Sequence, residues 1–157
     1  MKNVLIFMFA LLACATTSQA QMLEIYNLRS CPIEVAMKGE CPGGLCDGVT
    51  ILFRIPAGDK VLAPSFAAAA SHPYVVSAGS CTAPTGFMWH GAEIQTVFCS
   101  PCSGYGVSVG DNTCPHFVTG IVYNNGPNCF TGSSPCTGTQ CAVWVPLGPG
   151  SARITAY

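Results

Sequence analysis

Short β-prone runs broken by turn residues make up most of this chain, and several of them alternate apolar and polar positions with a period of two. In Leu23-Glu24-Ile25-Tyr26 the leucine and isoleucine share one face, and Glu24 and Tyr26 the other. That is how a strand half buried in a sheet is spelled. Similar short runs predict strands over 33–37, 49–55, 60–63, 74–78, 86–89, 94–98, 106–109, 117–123, 142–145 and 152–156. Helical spacing is confined to Phe66-Ala67-Ala68-Ala69-Ala70, with Ser65 as its cap and His72-Pro73 as its stop. Turn signals such as Asp47-Gly48, Ala57-Gly58-Asp59, Asp111-Asn112 and Asn125-Gly126-Pro127 separate the runs. Regularly spaced short strands predict an all-β chain, a compact antiparallel β-sandwich with at most one short helical turn.

The first residues stand apart from this pattern. Lys2 precedes an apolar run from Val4 to Ala15, followed by a polar stretch ending Ser18-Gln19-Ala20. A positive start, an apolar centre and small residues before a cleavage point make a secretory signal. Residues 1–20 are therefore expected to be removed, leaving residues 21–157 as one domain. Leu11-Leu12-Ala13-Cys14 offers an alternative, a lipoprotein signal that would anchor the chain to the cell envelope through Cys14. No later stretch is long and apolar enough for a transmembrane helix.

Composition narrows the class. Charged residues are only 8% of the chain and hydrophobic ones 50%, against about a quarter charged in an average domain. The charges are scattered, with no basic stripe of the kind that nucleic acid requires. Of eleven cysteines, all but Cys14 lie in the exported part. These are Cys31, Cys41, Cys46, Cys81, Cys99, Cys102, Cys114, Cys129, Cys136 and Cys141, and an even count in an exported chain predicts a disulfide framework. The two short glycine-containing loops, Cys41 to Cys46 and Cys136 to Cys141, are expected to be locally bridged.

Residues 99–116, CSPCSGYGVSVGDNTCPH, hold the letters of three kinds of active site. Cys99-Ser100-Pro101-Cys102 is a C-x-x-C pair, but it leads into a glycine-rich strand rather than the helix N-terminus that activates a redox thiol. Cys99, Cys102, Cys114 and His116 have zinc-type donors, yet the spacing is unlike a finger and export favours pairing of the thiols. Gly106-Val107-Ser108-Val109-Gly110 matches a nucleophile elbow in letters, but a turn follows where the elbow needs a helix. We therefore expect stapled strands, with no metal, no cofactor and no catalytic residue. His72 sits at a turn; His90, beside Trp89, is the histidine to watch. Most aromatics lie inside apolar runs and are assigned to the core. Phe87, Trp89, Tyr105 and Phe130 lie beside glycine-rich turns and, with His90, form the expected contact surface.

The segment LEIYNLRSCPIEVAMKG, with RIPAGDKVLAP downstream, resembles the opening of thaumatin-like proteins, in which an alternating first strand runs into an N-x-C-P segment, a second strand and a similar turn. The resemblance covers about a quarter of the chain. It implies a secreted, disulfide-rich β-sandwich, a fold that in that family sometimes binds β-glucans in an acidic cleft. This chain ends ARITAY, without that family's near-terminal cysteine, and its few acidic residues are not clustered in sequence. The expectation is a secreted, non-enzymatic structural or adhesive protein acting through an uncharged β surface. Edge-strand self-association is its specific version; binding an extracellular polysaccharide, as a carbohydrate-binding or thaumatin-like defence module, is the alternative.

Overall fold

In the computed structural model the described residues are 21–42, 48–81, 86–96, 106–111, 120–124 and 140–157; for Thr96, 120–124 and 140–141 this means the backbone only. The expected leader, Cys14 and the Cys136 to Cys141 bridge lie outside what is described. The strands are β1 (Leu23–Asn27), β2 (Ile33–Glu40), β3 (Val49–Ile55), β4 (Lys60–Ala63) and β5 (Val75–Ala78). They continue with β6 (Met88–Thr96), β7 (Gly106–Gly110), β8 (Gly120–Asn124), β9 (Gln140–Gly148) and β10 (Ser151–Ala156). One helix, α1 (Phe66–Ala70), separates β4 from β5.

Two five-stranded sheets face each other, ordered β4-β1-β10-β9-β8 and β5-β3-β2-β6-β7. The all-β sandwich is thus what the alternation predicts. Inward positions carry Leu23 and Ile25, Ile33, Val35 and Met37, Ile51 and Phe53, and Ile154, each with none of its surface exposed. Burial at about 25 cal/mol per Å² of apolar surface is the main force holding the two sheets together. Neighbouring strands run antiparallel except β1 and β10, which are parallel, with Leu23 opposite Ala152 and Asn27 opposite Ala156. Parallel neighbours need a long crossover, and here all the chain between β1 and β10 supplies it.

The sequence breaks 86–98 into two strands; in the structure β6 runs unbroken from Met88 to Thr96. Lys38 pairs with Gly91 and Gly39 with Trp89, so His90 is the extra residue of a β-bulge. A bulge inserts one residue and reverses the side-chain parity. Trp89, before it, and Ala92 and Ile94, after it, all turn inward, and a period-two reading takes that loss of phase for a strand end.

α1 forms where expected. The Ser65 hydroxyl accepts the Ala68 amide at 3.2 Å, an N-cap contact, while Phe66 and Ala69 turn into the core. It packs against β4 and β5 and closes that end of the core. Gly58, at φ 71°, and Gly150, at φ 68°, turn the β3–β4 and β9–β10 connections in the left-handed region, where a side chain is costly. At the foot of β1, buried Asn27 donates from Nδ2 to the carbonyls of Cys31, Ile55 and Pro56, at 3.0, 3.2 and 2.8 Å. Its Oδ1 accepts the Arg29 amide at 3.0 Å, so one amide ties β1, the β1–β2 loop and the exit of β3 together.

Cys41 is bonded to Cys81, which overturns the local Cys41 to Cys46 bridge. The bond joins the chain just after β2 to the chain after β5, a long-range staple within one sheet. Cys31 is disulfide-bonded as well.

Candidate functional site

The aromatics expected to form a contact surface around Trp89 are core instead. Phe87 is 1% and Trp89 4% exposed. With Phe66 they form a packed cluster, ring centroids 4.5 Å apart for Phe66–Phe87 and 4.7 Å for Phe87–Trp89. The Trp89 indole donates to the Gln21 carbonyl at 3.2 Å, as a buried indole N–H requires. Gly39 makes room for the cluster, since a Cβ there would stand 2.2 Å from the Phe87 ring. Glycine-rich surroundings suggested exposure; Gly39 instead admits the Phe87 ring, and a Cβ at Gly86 would meet Pro42. Tyr105 and Phe130 lie outside the described residues.

His90 is also buried, at 8% exposure. Its Nε2 lies 3.6 Å from Glu40 Oε2, beyond a hydrogen bond, and neither ring nitrogen has a hydrogen-bond partner among the described residues. Its carbonyl accepts the Asp111 amide at 2.6 Å, pinning the chain after β7 to the bulge.

The elbow letters Gly106 to Gly110 are strand β7, paired with β6 throughout. Val107 and Val109 point into the core and Ser108 points outward, so the sharp strand-to-helix turn of an elbow does not occur at Ser108. Cys99, Cys102, Cys114 and His116 lie outside the described residues, as do Cys46, Cys129 and Cys136. Among the described residues, no three His, Cys, Asp or Glu side chains converge as metal ligands would.

Ser108 instead borders a shallow depression of about 240 Å³ on the outer face of the second sheet. Its side-chain rim is Glu34, Leu52, Glu93, Gln95 and Ser108, over a floor of Ala36 and Gly106. Arg54 donates to Glu34 Oε1 from Nε at 2.9 Å and from Nη2 at 2.5 Å, and Gln95 donates to Glu34 Oε2 at 3.1 Å. Glu34 is thus held still, while Glu93 has no ion-pair or hydrogen-bond partner among the described residues. A carboxylate, an amide and a hydroxyl beside an apolar floor can take hydroxyl-bearing or cationic ligands. Alternation within β2 places Glu34 outward, but only the register of β2, β3 and β6 brings Arg54 and Gln95 to it.

A second polar group sits at the end of the sandwich. The Tyr74 hydroxyl donates to Asp59 Oδ2, and the Lys60 amide donates to Oδ1 at 2.8 Å. His72 Nδ1 accepts the Tyr74 amide at 3.2 Å. The Tyr74 hydrogen bond, then that of Lys60, holds the Asp59 carboxyl below its ordinary value, and the same bond raises the Tyr74 phenol. A depressed carboxyl contributes stability that is present above its ordinary value of 3.8 and lost as pH falls through the lower folded value. Tyr74→Phe is expected to flatten the fall in melting temperature on acidification below about pH 4; an unchanged acid limb would show that the bond does not bias ionisation. Deeper in, burial pushes the Arg29 guanidinium down to about 10, still charged at neutral pH.

Among the described residues, the flank formed by β4, α1 and β5 is the most uniform surface. No Asp, Glu, Lys or Arg occurs between Lys60 and Glu93. Leu62 on β4 is 47% exposed and Val76 on β5 51%. Apolar side chains and strand edges unpaired among the described residues, with charge only at Lys60 on β4 and at Glu24 opposite Leu62, offer contact by burial and backbone hydrogen bonding. Comparison with known proteins adds no relative: no family model, no curated protein and no solved structure matches this chain.

Proposed function

We propose that the chain is an exported, non-enzymatic structural or adhesive protein that works through uncharged β surface. The observation that supports this reading is the β5 part of the flank just described, which carries no charged residue, lies in the stretch from Val61 to Ala92 that has no Asp, Glu, Lys or Arg, and exposes Val76. A protein that adheres through charge would place cations or anions on its contact face, and salt would weaken it. Contact through uncharged β5 gains from apolar burial and is indifferent to screening. The Cys41–Cys81 bond fits an oxidising compartment, and no helix among the described residues is long and apolar enough to cross a membrane.

Retention of the oxidised chain 21–157 on neutral alkyl-coated beads is expected to hold or strengthen between about 0.1 and 1 M NaCl. Retention that falls with salt would sink the reading.

Saccharide binding stands as a second reading because of the depression at Glu93. Its test is pull-down on insoluble polysaccharides, with loss of retention expected in Glu93→Ala. Trp89→Ala is no test of contact, since the ring is buried.

A further inference from the structure

We infer that two copies of this chain associate through β5, edge to edge about a two-fold axis, to give a closed dimer rather than a filament. The inference deepens the reading above by naming the partner and the surface.

The two lateral sides of the sandwich differ. On one, β7 of the second sheet packs against β8 and β9 of the first, so the sheets close on each other. On the other, β4 and β5 are outermost, and each has a single strand partner among the described residues, β1 and β3. α1 fills the gap between the sheets there, packing against both strands. Among the described residues only this side presents open edges, and an edge strand is a template for another strand.

β5 is the better template of the two. It reads Val75-Val76-Ser77-Ala78, and Val76, Ser77 and Ala78 are exposed, as are Gly79 and Ser80 beyond it. β4 starts with exposed Lys60. The distinction matters because a two-fold axis sets each residue near its own copy. A charged edge then faces like charge, which is unfavourable across a strand pair. β5 carries no charge, so its own sequence is an acceptable neighbour, and pairing would cover Val76 in both copies.

The geometry also limits the assembly. Phe53 pairs with Val75 and Leu52 with Ser77, which makes Val76 the extra residue of a bulge. β5 is four residues long, so few backbone bonds can form across the axis, and the dimer is expected to be weak and concentration-dependent. A filament needs two different complementary surfaces per copy. With the β7 side closed and Lys60 exposed on the β4 edge, β5 is the one uncharged open edge among the described residues, which supports a pair and no further growth.

The test is sedimentation equilibrium of the oxidised chain 21–157 from about 1 µM to about 1 mM. Apparent mass should rise towards twice the monomer and stop there. Val76→Lys should remain monomeric throughout, while Ser108→Lys, on the outer face beside the closed edge, should dimerise as the parent does. Should Val76→Lys fail to fold, amide exchange of the parent decides: protection of residues 75–80 should grow with concentration. A monomer at every concentration, growth beyond the dimer, dimerisation unaffected by Val76→Lys, or exchange at 75–80 independent of concentration would overturn the inference. A monomer that still binds neutral beads would leave the adhesive function standing; a dimer that does not bind them would end that reading and keep this one.

Discussion

Trp89→Ala is expected to destabilise the domain by about 3–5 kcal/mol, the usual cost of truncating a large buried aromatic. That is a large part of the about 5–15 kcal/mol that holds a typical domain folded. It should appear as a lower urea midpoint with an unchanged slope. Two effects combine. The side chain is 4% exposed and packs on Phe87 and Phe66, so its loss leaves a cavity between the sheets. The Gln21 carbonyl also loses the indole N–H. A Trp89 that served as a contact residue would give the opposite result, with binding lost and the urea midpoint unmoved. The experiment therefore separates a core tryptophan from a surface one without knowledge of any ligand.

Replacing Cys41 and Cys81 together by serine is expected to cost about 4 kcal/mol on the loop-entropy estimate, for a sequence separation of 40. Both residues are changed so that no free thiol is left to exchange with other bridges. The bond fastens the end of the β5 edge to the end of β2, so amide exchange should rise first in residues 75–80. A melting temperature within a degree of the parent would show that the staple constrains nothing in the unfolded chain. Partial digestion of the parent without reduction should yield one pair of peptides joined through Cys41 and Cys81.

Strand positions were legible because the signal is local. Val49–Ile55 and Lys60–Ala63 fall where alternation and the Ala57-Gly58-Asp59 turn place them. Helix α1 was equally plain, since cap, apolar run and stop lie within a few residues. The reading failed where the information is not local. At His90 an inserted residue reversed the phase of β6 and hid the continuity of the strand, while the neighbouring Gly86 and Gly91 made Phe87 and Trp89 look like turn-side surface. The same absence of register left Glu34, Arg54 and Gln95 as three unrelated polar residues, although they converge on one outer face.

By itself, then, the order of residues determined the all-β class, the sandwich and the charge-poor surface. Each of these follows from period-two alternation and from which residue types are present at all. Tertiary structure decided that Cys41 joins Cys81, that the aromatics at the start of β6 are core, and that among the described residues open edges remain on one side only. Pairing register, bulges and the approach of one sheet to another set distances between residues far apart in the chain, and no local period encodes those distances.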